Sequence, residues 1–271
     1  MKHLIPRLAR YIQENRVDTE EDQDYTSFAI QSFTYMLDCG IKRSDIIETG
    51  VAPRLFHFLA DSSSGLAVQI QAMNCIGTLT EGDASDRDVL LEAGMLPALL
   101  ALLDSEDPGL CRAALWCACM LVTGSQSHVD AVLDSGFLKP AACILADDQC
   151  APDCRYEACW LIAKLSKKIF GDMKMIQAFI DDRCVEGLSA ALRLPQTRRR
   201  ATAGIENLLG YDDSQMPQGG GPFEAILRAS SCPQNLRAIR FSREDVDENL
   251  LHRCDYLLTH YFPEYSKRAR V

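Results

Sequence analysis

The apolar positions of the chain fall into short helical runs that recur at a fixed interval. IIETGVAPRLFHFL at 46–59, LLEAGMLPALLALL at 90–103 and AVLDSGFLKPAACIL at 131–145 share one order of residue types. Each has an apolar pair, an acidic residue, a small residue, Gly, two apolar residues, and Pro three or four places after the Gly. The glycines are Gly50, Gly94 and Gly136, spaced 44 and 42 residues apart. A helix that ends on Gly can place that residue in the left-handed region without a Cβ clash. Pro three or four residues later belongs in the first turn of the next helix, where no N–H is needed. Each copy therefore predicts a helix, a tight turn and a second helix. A polar break follows (ADSSSG, DSEDPG, ADDQCAPD), and then a longer helical pattern: VQIQAMNCIGTLT, LCRAALWCACMLV and CRYEACWLIAKLS. No segment alternates strictly enough to predict a strand.

Two fainter copies flank these three. MKHLIPRLARYI sets Pro6 47 residues before Pro53, and FIDDRCVEGLSAAL at 179–192 has Arg183 where Gly is expected. A non-Gly residue held left-handed costs ~1 kcal/mol, so this turn is expected to be built differently, with DMKMIQAF before it in a longer connection. Two or three helices in about 42 residues is the signature of armadillo or HEAT repeats. Such units bury their apolar faces only by stacking. The predicted fold is all-α, a right-handed superhelix of armadillo-type repeats over 1–264, in approximate units 1–49, 50–93, 94–135, 136–182, 183–221 and 222–264, with a basic tail at 265–271. GYDDSQMPQGGGP at 210–222 is expected to be a flexible loop between the last two units.

Composition narrows the function. The net charge is −10, with 47% hydrophobic, 24% charged and only 7% aromatic residues. Such an acidic chain argues against nucleic acid and anionic membrane as partners and for basic peptides. No apolar run is long enough to predict a membrane span. Eight acids at 81–108 (Glu81, Asp83, Asp86, Asp88, Glu92, Asp104, Glu106, Asp107) face one Arg and are read as solvated loops. Of twelve cysteines, Cys75, Cys117, Cys119, Cys159 and Cys254 lie inside apolar helical patterns, as reduced core residues of an intracellular protein would. Cys150, Cys154 and Cys159 form C-x3-C-x4-C without a fourth ligand, so no metal is expected. The five histidines are scattered and no nucleophile elbow, phosphate loop or H-E-x-x-H is present, so neither an enzyme nor a cofactor is expected. TRRR at 197–200 reads as a solvated face, and SKRAR at 266–270 as a basic tail or a weak nuclear signal.

The two tryptophans, Trp116 and Trp160, stand 44 residues apart on corresponding long helices. Residues at i−3 and i+4 share their face: Ala113 and Met120 around Trp116, Glu157 and Lys164 around Trp160, and Gln71, Asn74 and Thr78 one repeat earlier. Two groove tryptophans one repeat apart would wall a Lys or Arg stem with its cation over the rings. The alternative is that both fill the core.

RAALWCACMLVTGSQSHVDAVLDSG, RYEACWLIAKLS, NCIGTLTEGD, GIENLL and LLTHYFPE, in that order along 26–264 apart from the earlier position of NCIGTLTEGD, together resemble the importin-alpha family. The resemblance implies an adaptor for nuclear protein import, present in cytoplasm and nucleus. It would hold a basic nuclear-localisation signal of a cargo protein in its concave groove. Its implied peptide-binding residues are Trp116, Trp160, Glu157, Asn74, Thr78, Met120 and Lys164. In the family an Asn follows each groove Trp by four residues and clamps the peptide backbone; here those places hold Met120 and Lys164, with Thr78 in the Trp-less repeat. The family's basic importin-beta-binding segment has no counterpart in residues 13–24, which are acidic, so importin-beta is not expected to bind through this chain. A nuclear export receptor at the C-terminal repeats is a further implied partner. The second reading is a divergent armadillo scaffold that has lost signal binding and holds another protein.

Overall fold

The computed structural model describes residues 2–242 and 247–267, and among these the regular structure is helical throughout. The end of the SKRAR tail, 268–270, lies outside the described residues. The chain divides into two compact units, Met1–Ser135 and Gly136–Val271.

The first unit begins with α1 (Ile5–Glu14) and α2 (Glu20–Asp38). Two triplets follow, each with two short helices and one long: α3 (Arg43–Ile47), α4 (Ala52–Ala60) and α5 (Leu66–Thr80), then α6 (Ala84–Glu92), α7 (Met95–Ala101) and α8 (Pro108–Leu121). Helix α9 (Gln126–Asp134) ends the unit. The long helices pack in sequence, α2 on α5 and α5 on α8, and α4 packs on α7. The core is aliphatic with a few large rings: Phe33, Phe58, Ile12, Ile30, Ile46, Leu55 and Ile76 are fully enclosed.

The second unit holds α10 (Leu138–Ala146) and α11 (Pro152–Ser166), then α12 (Met173–Asp181), α13 (Cys184–Ala191) and α14 (Arg198–Gln215), then α15 (Pro222–Ala229), α16 (Cys232–Arg240) and α17 (Glu248–His260). Here α11 packs on α14 and α14 on α17, with α10 on α13 and α13 on α16 behind them. Phe137, Phe179, Phe223 and Phe262 are fully buried in this unit.

The joints take the conformation that Gly and Pro predict. Gly50, Gly94 and Gly136 have φ of 71°, 97° and 76°, and Pro53, Pro97 and Pro140 fall in the first turns of α4, α7 and α10. The Arg183 joint is not built differently. Arg183 has φ 59° and ψ 32°, left-handed, directly before α13. DMKMIQAF is likewise not a loose connection but most of α12, capped by Asp172 accepting from Met175 N at 3.0 Å. The repeat geometry is thus kept and its cost is carried in the backbone. Arg183 is exposed and makes one surface ion pair, to Glu186 at 3.3 Å, worth little. Relief of ~1–2 kcal/mol of left-handed strain outweighs the ~0.5–1 kcal/mol of chain entropy that Gly adds to the unfolded state. Arg183→Gly is therefore expected to raise the urea midpoint, by up to about 1 kcal/mol of stability, and Arg183→Val to lower it. A lower midpoint for the Gly variant would show that the joint is unstrained.

Three further expectations change. Many of the acids at 81–108 are structural. Asp83 and Asp86 form a capping box on α6, Asp107 accepts from Leu110 N at 3.0 Å to cap α8, and Asp88 meets the buried His128 at 2.7 Å. Caps of this kind contribute about 1 kcal/mol each. The stretch from 210 is not all loop, because α14 runs to Gln215. Asp212 Oδ2 accepts from Glu224 N at 2.7 Å, tying α14 to the start of α15. Burial pushes that carboxyl up to about 6, against the backbone donors that favour its charge. Gly221 lies so close that a Cβ there would stand 2.1 Å from Asp212 Cγ. Third, TRRR is only partly a solvated face: Thr197 is buried and Arg200 half-buried.

All twelve cysteines are free, and nine are buried. Burial pushes the thiols of Cys75, Cys117 and Cys159 up to about 12 and that of Cys254 up to about 11.

Candidate functional site

Burial repeats along the long helices of the first unit with a helical period. Aligned on their buried positions, Phe28, Asn74 and Trp116 hold the same place on α2, α5 and α8, and Ser32, Thr78 and Met120 the place four residues on. These are outward-facing positions: Asn74 is exposed, while Thr78, Trp116 and Met120 are half-buried. Trp116 is therefore neither a core filler nor a free ring. One edge of it rests on Gly77, where an added Cβ would meet Trp116 Cζ3 at 3.5 Å. That distance is an ordinary van der Waals contact, so the indole packs against α5 at this point without needing the Gly.

Asn74, Thr78 and Trp116 line one open cleft of about 240 Å³, with Met73, Gly77, Glu81, Arg112 and Ala113. Thr78 Oγ1 donates to its own helix at Asn74 O, 3.0 Å. Asn74 is exposed and lines the cleft, and its amide hydrogen-bonds to no described residue. Glu81 pairs with Arg43 at 3.2 Å, and Arg43 Nε donates to Thr78 O at 2.7 Å. Met120 offers a peptide backbone only a thioether, a weak acceptor with no donor.

Sequence reasoning missed the aromatic row on α2. Tyr25, Phe28 and Tyr35 are 55%, 62% and 62% exposed. Their spacings of three and seven set them on one helix face. Three large exposed rings in a row on one helix are informative where a single one is not. Tyr25 OH donates to Glu21 at 3.0 Å, and Glu20, Glu21, Asp22 and Asp24 lie in the same two turns. Residues 1–135 carry 20 acidic and nine basic side chains, whereas 136–271 carry 18 and 19. The whole of the chain's negative excess thus belongs to the first unit, and the second is close to neutral.

In the second unit Glu157 is buried, and Trp160 and Lys164 are half-buried. Lys164 Nζ lies 4.3 Å from the Trp160 ring centroid. Arg200, from α14, stands 4.4 Å from Trp160 and 3.7 Å from Tyr156. The ring that was expected to receive a peptide's cation thus already carries two of its own. On α14 the residues in the places of Trp160 and Lys164 are Ala203 and Asn207, and the Asn207 amide donates to Ser166 Oγ at 3.0 Å. Among the described residues no group of three or more His, Cys, Asp or Glu is placed to hold a metal ion, and no helix is long and apolar enough to cross a membrane.

The armadillo/beta-catenin-like repeat model matches residues 83–119, which run from the cap of α6 into α8. Importin subunit alpha-1a of Oryza sativa subsp. japonica is 28% identical over 138 residues, covering 50% of this chain and 25% of that protein. Importin subunit alpha-3 of Arabidopsis thaliana is 33% identical over 100 residues, covering 36% and 17%. Over these stretches the chain is similar to importin-alpha subunits. It spans a quarter or less of the length of these two relatives. The armadillo fold extends over nearly all of it. A designed armadillo repeat protein in complex with the peptide (KR)4 matches with a TM-score of 0.73 at 19% identity, covering 97% of this chain and 99% of that one. Computationally designed armadillo repeat proteins for modular peptide recognition match with a TM-score of 0.74 at 18% identity, covering 94% and 98%.

Proposed function

We propose that this armadillo protein is an importin-alpha-like adaptor for nuclear protein import, moving between cytoplasm and nucleus, and that it holds an extended basic peptide of its cargo across the long helices of its first unit. The observation that carries this reading is the cleft in which Asn74, Thr78 and Trp116 stand together with Glu81, in a unit with more than twice as many acidic as basic side chains. The Asn74 amide is available to a peptide backbone. The faces of Trp116 and Phe28 are available to the stems and cations of Lys or Arg. The names of the relatives and the (KR)4 ligand of the designed repeat protein point the same way. In the second unit Glu157, Trp160 and Lys164 hold the corresponding places on α11. A nuclear export receptor at the C-terminal repeats is a further partner that the importin-alpha likeness implies.

The competing reading is an armadillo scaffold for a different protein partner, favoured by Met120 where an amide would clamp a peptide. Tryptophan fluorescence separates the two. In a Trp160→Phe variant Trp116 is the sole reporter. Titration with an alternating Lys–Arg octapeptide is expected to give a saturable shift that persists at moderate salt. A shift that vanishes as salt shortens the screening length to below about 10 Å would reduce the interaction to diffuse attraction and sink the adaptor reading.

A further inference from the structure

The cations at Trp160 change what that site can accept. Arg200 is half-buried with its guanidinium against two aromatic faces, 3.7 Å from Tyr156 and 4.4 Å from Trp160. Its Nη1 is enclosed, out of a ligand's reach, and no described carboxylate pairs with the guanidinium, which leaves Nε and Nη2 as the donors for a ligand. Three other arginines on the long helices of this unit do pair with a carboxylate. Arg253 pairs with Glu206, Arg199 with Asp247 at 3.5 Å, and Arg155 with Asp148 at 3.0 Å. Ring quadrupoles offset part of the charge of Arg200 but accept few of its five N–H donors. A guanidinium held flat by stacking has already lost its rotamer freedom, so it is preorganised for a planar acceptor. Lys164 places a second cation over the same indole at 4.3 Å. Lys167, exposed, and Lys168, half-buried, follow one turn on.

We propose that the Trp160 site in the second unit binds a carboxylate side chain of a bound peptide, with Arg200 as the bidentate donor and Lys164 as the second cation, and that it excludes Lys and Arg. The proposal rests on the reading of the long-helix faces as a peptide surface. It reverses the charge preference at this one tryptophan. A ligand cation would meet two fixed cations on a ring that already carries them. A carboxylate would accept charge-assisted hydrogen bonds from Nε and Nη2 of Arg200, which the rings leave without an acceptor.

The test uses the full chain with Trp116→Phe, so that Trp160 alone reports. It is titrated at moderate salt with an octapeptide alternating Glu and Ser and, separately, with one alternating Lys and Ser. The Glu peptide is expected to shift the Trp160 emission saturably and the Lys peptide to leave it unchanged. Arg200→Gln should weaken the Glu peptide at least tenfold and Lys164→Met by less, both with an unaltered helical circular dichroism signal. A Trp160 response to the Lys peptide, or a Glu peptide that binds equally well to both variants or not at all, overturns the proposal. The companion Trp160→Phe chain keeps the two levels apart. If its Trp116 answers basic peptide while Trp160 ignores the acidic one, the carboxylate site falls and the adaptor reading stands; if both are silent, both fall.

Discussion

Phe33→Ala is expected to lower the stability of the first unit by about 3–5 kcal/mol, the range for emptying an enclosed aromatic site. Phe33 is fully buried in α2, and α2 packs along the length of α5, so the cavity would open in the main interface between two long helices. The loss is a large share of the 5–15 kcal/mol that typically holds a domain folded. Phe28 is the control. It lies five residues earlier on the same helix but is 62% exposed, so Phe28→Ala is expected to change stability by no more than about 0.5 kcal/mol. Urea titration followed by circular dichroism reads both. Equal midpoints for the two variants would mean that α2 has its faces assigned the wrong way round.

The converse contrast is expected in binding. Trp116→Ala should cost at least about 2 kcal/mol in affinity for a basic peptide, some thirtyfold, as a central aromatic contact does. It removes the ring wall of the Asn74–Thr78 cleft and the contact over Gly77. Phe28→Ala should also weaken the peptide, though Phe33, behind it, touches nothing a ligand could reach. Met120→Asn should strengthen binding, because it adds the amide that the corresponding places around Trp116 lack. Isothermal titration at two salt concentrations distinguishes this from charge alone. An unchanged affinity for Trp116→Ala would remove the cleft from the binding surface.

The repeat joints were legible because their signal is local. A Gly needing positive φ and a Pro needing the first helical turn lie within four residues of each other, and the structure uses both at Gly50, Gly94 and Gly136. Arg183 was harder. Its residue type opposes the conformation, and the packing of the neighbouring helices overrides that local preference. The place of Asn74 and Thr78 on one face of α5, and of Trp116 on the matching face of α8, followed from a period of 3.6, but that they line a single cleft depends on how α5 and α8 meet. Phe28 was not legible, since it stands in FAIQSFTYML, where buried and exposed rings alternate within one apolar run. Which phase faced outward was settled only by α5. Arg200 looked like a solvated charge because its partners, Tyr156 and Trp160, come from a helix some 40 residues earlier. Local pattern carries the repeat, whereas contacts between repeats decide which side chains remain open.

The buried thiols give the molecule a built-in measure of its own breathing. Only a thiolate reacts readily, and a thiol held at about 12 in a closed core stays inert. At least one buried cysteine sits in each of α5, α8, α11, α13, α16 and α17. In a repeat protein each unit is stabilised chiefly by its immediate neighbours, so segments open with their own free energies. The order in which these cysteines become alkylated is then the order in which the helices that hold them come loose.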